Sequence, residues 1–125
     1  MFRAKAKDTP RERLFQLTDP EGYEITLLAD TWERHISVHH PEMVRRFEAV
    51  KAAISDPDLI QEEQGRPESV YYYRLTGQAF YRSRDVYVIV VVGRDARRRT
   101  GKVKTAHLVR ELRKKGGRVL WSRKQ

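Results

Sequence analysis

Residues 86–92 read Val-Tyr-Val-Ile-Val-Val-Val, and no other stretch limits the fold as strongly. β-Branched side chains are stiff at χ1 and suit a pleated, covered surface better than a helix. A run without polar alternation has no face to give to water. It therefore reads as a central strand, covered on both faces or covered by helices on one side. At seven residues it falls far short of the ~20 a membrane helix needs.

The neighbouring segments supply what that strand must pair with. Residues 14–17 and 23–27 flank Asp19-Pro20-Glu21-Gly22, where Pro at the second position and Gly at the fourth predict a tight hairpin turn. Asp30 or Thr31 is placed to cap a helix carrying Trp32, His35, Ile36 and His39. Pro41 suits the first position of a second helix, because the N–H it lacks would have no partner there. In that helix Met43, Val44, Phe47, Val50, Ala53 and Ile54 recur at intervals of three and four, which predicts one apolar stripe. Asp56-Pro57-Asp58 ends it.

Further strands are expected over 59–63, 69–75 (with 80–82 as an extension), 87–92 and 103–109. A basic loop is expected over 94–101, and a helical turn over 111–115 before a last apolar group at 119–121. The predicted fold class is α+β: an N-terminal hairpin, two helices, then an antiparallel sheet of about four strands with the helices on one face. The 125 residues suit one domain, with residues 1–12 as a flexible tail. Absence of cysteine excludes disulfides and thiolate metal sites, and a polar N-terminus lacks the apolar core of a secretory signal, so a cytoplasmic location without membrane contact is expected.

Charge is placed unevenly. Residues 94–125 carry thirteen Lys/Arg against two acids, whereas residues 1–93 carry thirteen against fifteen. Basic residues gathered on one part of a fold are the electrostatic footprint of nucleic-acid binding. Arg97, Arg98, Arg99, Lys102 and Lys104 are the clearest phosphate contacts, with Arg113, Lys114 and Arg74 as additions.

The order of several short motifs is similar to that of a family of phage-associated nucleases in the barnase–EndoU–colicin–RelE grouping. The motifs are Trp32-Glu33-Arg34-His35-Ile36, His40-Pro41-Glu42, Asp56-Pro57-Asp58-Leu59-Ile60, an aromatic strand, a Val-rich strand, Thr105-Ala106 and Val119-Leu120-Trp121. Together they span residues 14–121. The resemblance implies helices on a small antiparallel sheet and cleavage of RNA without metal, or an inactive descendant of that activity. The chain departs from the pattern at His107, where an aromatic residue is expected.

Metal-free RNA cleavage uses the ribose 2′-OH as nucleophile and needs a base, an acid for the leaving 5′-oxygen, and a cation for the phosphorane. Histidine suits either proton role. The candidates are His35, His40 and His107, with Tyr72, Thr105 and Arg82 as supporting groups. Tyr72 should share a face with Val70 and Arg74, opposite Tyr71 and Tyr73. An exposed tyrosine there could stack on a splayed base. Strict alternation places Val103, Thr105, His107 and Val109 on one face, and Lys102, Lys104, Ala106 and Leu108 on the other. His35 and His39 have the i, i+4 spacing of a metal pair, but Ile36 stands where a metalloprotease needs Glu and no third ligand is near, so no metal or other cofactor is expected.

Three functions fit these readings. One is a metal-independent ribonuclease, as a toxin or phage-derived effector partnered by an acidic antitoxin or immunity protein. The second is a non-catalytic RNA- or DNA-binding module, and the third a domain whose basic quarter docks an acidic protein.

Overall fold

The structure, a computed structural model, describes residues 12–76, 86–110 and 117–123. Its strands are β1 (Arg13–Thr18), β2 (Glu24–Leu28), β3 (Leu59–Glu63), β4 (Arg66–Leu75), β5 (Tyr87–Asp95), β6 (Thr100–Val109) and β7 (Val119–Ser122). They form one sheet in the order β1-β2-β6-β5-β4-β3-β7. The valine-rich strand is its centre, with β4 and β6 antiparallel on its two sides. Both faces of that strand are covered: Val88, Val90 and Val92 join the larger core cluster, and Ile89 joins a second cluster with Tyr71 and Tyr73.

The helices lie on the face of the larger cluster. Ile36, Met43, Val50, Ala53 and Ile54 are buried there against Ile25, Leu27, Val70 and Tyr72. This confirms the α+β class with helices on one face, but the sheet is larger than expected. The hairpin, expected as a separate unit, joins it through a short parallel pairing of β2 with β6, from Glu24 opposite Thr100 to Thr26 opposite Lys102. The sheet is thus mixed rather than antiparallel. Gly101 permits that junction, because a Cβ there would stand 2.8 Å from both Ile25 Cδ1 and Val92 Cγ1. The expected basic loop over 94–101 shrinks to a turn at 96–99, since β5 extends to Asp95 and β6 begins at Thr100.

The hairpin turn forms where its residues predict. Gly22 N–H donates to the Asp19 carbonyl at 3.0 Å, with Gly22 at φ +90°. Asp19 Oδ1 also accepts the N–H groups of Glu21 and Tyr23, at 2.8 and 2.9 Å.

The helical region departs from the expected two regular helices. Thr31–Ile36 winds with π geometry before one α turn at Ser37–His39, which together make α1. Asp30 does not cap it by side chain; its carboxylate pairs with Arg34 instead. Pro41 does begin a helical segment, but only the 3₁₀ turn Pro41–Met43, and the second helix (α2) spans Phe47–Ser55. Val44 falls in the break and is 52% exposed, so it is not part of the apolar stripe. Among the described residues no helix is long and apolar enough to cross a membrane.

Candidate nucleic-acid interface

The strand β6 carries the candidate interface, and a bulge decides which side chains it presents. Val91 pairs with Thr105 while Val92 pairs with Val103, so Lys104 is the extra residue. A bulge of this kind re-aims side chains by breaking the two-residue period. Val103 turns to the helix side with Ala106 and Leu108, all packed in the larger core cluster. This corrects the expectation that Val103 shares a face with Thr105 and His107. Lys102 pairs across from Gly93, Thr105 from Val91 and His107 from Ile89, which places all three on the face opposite α1 and α2. Lys104 joins them. Its stem passes within 3.5 Å of where a Gly93 Cβ would stand, and its Nζ donates to Ser69 Oγ at 3.2 Å. Two lysines, a hydroxyl and an imidazole therefore share one face, a grouping that strict alternation forbids.

Cross-strand register extends this grouping. Thr105, Val91, Tyr71 and Gln61 form one row across four strands. At its two ends Thr105 Oγ1 and Gln61 Oε1 are buried and meet no hydrogen-bond partner among the described residues. Buried polar atoms are nearly always satisfied in folded proteins, so each of these two atoms is a point where a water would be stabilised.

The histidines separate into two pairs. His40, just past α1, stacks on His107 with ring centroids 4.9 Å apart and planes 23° apart. It reaches β6 because β2 pairs with that strand only as far as Lys102, leaving room for the 3₁₀ turn beside its later residues. His40 Nδ1 lies 3.9 Å from Glu42 Oε2. His35 takes no part in this stack; its ring contact is with His39, at 5.0 Å. Both of those rings are exposed.

The cations divide just as clearly. Arg97 and Arg98 project from the β5–β6 turn, exposed, their backbone N–H groups anchored on Asp95 Oδ1 at 3.1 and 3.2 Å. A cavity of about 350 Å³ lies between these three residues. Arg99 does not join them. At φ +57° it folds back to donate to the Glu21 carbonyl and to lie 4.6 Å over the Tyr23 ring. Arg74 is tied to Asp56 Oδ2 at 2.8 Å, and Arg123 to Asp56 and Asp58. The Arg74 guanidinium, with Arg123 adding to it, holds the Asp56 carboxyl below the usual carboxylate range. Arg82, Arg113 and Lys114 lie outside the described residues.

Tyr72 occupies a different environment from the one its candidate roles require. Its ring is fully buried on the helix side, so it offers no face for a base. Its hydroxyl donates to Asp19 Oδ2, and Arg94 donates to that hydroxyl at 2.9 Å, to Asp19 Oδ2 at 3.0 Å and to Glu21 Oε1 at 2.9 Å. Burial first, and the hydrogen bond to Asp19 second, push the phenol far above its ordinary range, so it stays protonated and serves as a donor. Arg94 also lies 4.0 Å over the Tyr23 ring. Sequence reasoning passed over Arg94 and Asp19, whose side chains meet across 75 positions. A cleft of about 510 Å³ opens beside this network, where Arg94, Arg99 and Arg118 face Glu21, Glu62 and Glu68. Its charges balance, so it does not favour an anion.

Among the described residues no three His, Cys, Asp or Glu side chains converge as a metal site. Comparison of the chain with protein-family models, curated proteins and solved structures gives no significant match.

Proposed function

We propose that this chain is a metal-independent, endoribonuclease-like RNA-binding domain, with the RNA backbone following the face of β6 opposite α1 and α2 from the arginine turn to the paired histidines. The observation that carries this reading is the order of groups along one strand. Arg97 and Arg98 stand at its start, Lys102 and Lys104 on its face, and Thr105 and His107 beyond them, with His40 stacked at the end. Cations of this kind contact phosphates without reading bases.

Two imidazoles brought together from segments 67 positions apart can divide the proton work between them. One takes the 2′-OH proton as base while the other gives a proton to the departing 5′-oxygen. Lys104 then offers positive charge on the phosphorane side of the strand, and Lys102 holds the backbone farther along it. Thr105 supplies a hydroxyl beside them. Tyr72 and Arg74 have no part in this scheme, being held in the Asp19 and Asp56 networks. The toxin or phage-effector role, with an acidic antitoxin or immunity protein as partner, follows from the motif resemblance alone.

A second reading, binding without turnover, is favoured by the separation of groups. His107 lies seven residues along β6 from Thr100, roughly 23 Å of strand, so the arginine turn and the histidines never meet. Incubation of the purified protein with single-stranded RNA in EDTA separates the two. Cleavage to products bearing 2′,3′-cyclic phosphate ends is expected. RNA that is bound but stays intact across pH 5–8 would reject the ribonuclease and leave the binding module.

A further inference from the structure

We propose that His35 and His39 form a surface chelate for one divalent transition-metal cation of the Zn2+ class. The site stands apart from the proposed reaction, which uses the other histidine pair.

The two residues are four apart and project from α1 on the same side, one above the other. Both side chains are exposed, so a cation can reach them without unfolding anything. Their ring centroids are 5.0 Å apart with planes inclined at 56°. That spacing fits chelation. A zinc–imidazole bond of about 2.1 Å puts each ring centroid roughly 3.2 Å from the metal. Two such rings separated by an angle between the right-angle and tetrahedral values then lie about 4.5–5.2 Å apart. The helix already holds the ring centroids at that distance.

Imidazole nitrogen selects Zn2+, Cu2+ or Ni2+ over Mg2+ or Ca2+, which prefer oxygen. No third protein ligand stands nearby among the described residues, so water fills the remaining positions. Such a site is exchangeable, unlike a closed structural zinc site. The ligands must be deprotonated to bind, so affinity falls as pH drops through the range in which imidazole titrates.

The test is calorimetric titration of ZnCl2 into the full-length, EDTA-treated and dialysed protein at pH 7.5. One saturable event per chain is expected, lost at pH 5. His35→Gln and His39→Gln should each abolish it, whereas His40→Gln and His107→Gln should retain it. Because His35 and His39 are exposed, unchanged far-ultraviolet circular dichroism is expected for their variants. Absence of saturable binding in the wild type would overturn the proposal, as would binding that survives both His35→Gln and His39→Gln. Loss of binding in His107→Gln would also overturn it. Each readout is independent of RNA cleavage, so failure here leaves the proposed function untouched.

Discussion

Arg94→Ala lowers the urea midpoint of unfolding by the equivalent of roughly 3–5 kcal/mol, the range for removing one partner of a buried ion pair. The Arg94 side chain is 7% exposed and that of Asp19 fully buried. Removing the guanidinium takes away the charged partner that the buried Asp19 carboxylate pairs with at 3.0 Å. The two backbone N–H groups and the Tyr72 hydroxyl that it still accepts only partly offset that loss. Glu21 also loses its partner, at a smaller cost because it is partly exposed. Tyr72→Phe removes the hydroxyl that donates to Asp19 and accepts from Arg94 but keeps the ring, so a loss of about 1–3 kcal/mol is expected. Arg94→Lys should fall between, since an ammonium cannot spread donors over three acceptors with the reach of a guanidinium. An unchanged denaturant slope in all three variants ties the shift to the native network rather than to the unfolded chain. A loss below about 1 kcal/mol for Arg94→Ala would show that solvent reaches this network.

On the proposed ribonuclease reading, His107→Ala is expected to reduce RNA cleavage by about 10²–10⁴-fold while RNA binding stays close to wild type. His107 extends from the last third of β6, past the lysines, and stacks on His40. Removing an imidazole there takes away a proton-transfer group and little phosphate attraction. His40→Ala should behave alike, and the double variant should cost little more than either single one, because groups acting as a unit are strongly non-additive. His35→Ala should leave cleavage largely intact, since that ring sits with His39. Single-turnover cleavage and filter binding on the same variants separate the two effects. Cleavage that persists in the double variant at wild-type rate would remove the histidines from the chemistry.

Much of the fold is legible in the sequence because burial writes itself into residue type. The valine run could only be central, and Ile36, Met43, Val50, Ala53 and Ile54 marked the helix side. Strand order is another matter. Hydrophobic pattern says which face is covered but not which strand lies alongside, so the parallel pairing of β2 with β6 left no trace except a glycine at 101. The bulge was readable in principle: apolar residues at 103, 106 and 108 break the two-residue period after Val103, and that phase slip locates the extra residue. The Asp19–Tyr72–Arg94 network was not readable, because three polar residues scattered over 75 positions carry no local signal of meeting. Arginines in the C-terminal quarter looked equivalent by composition. Geometry sorts them into exposed Arg97 and Arg98 and the paired Arg94, Arg118 and Arg123.

The proposed RNA path depends on the two lysines that the bulge of β6 brings onto the face of Thr105 and His107. Binding of single-stranded RNA measured against salt concentration tests this directly, comparing the wild type with Lys102→Ala/Lys104→Ala. Each single-strand phosphate contact contributes about 0.7 to the slope of log K against log salt, so the double variant should bind more weakly with a slope shallower by about 1.4. An identical slope in the two proteins would mean that RNA, if bound at all, does not run along this face.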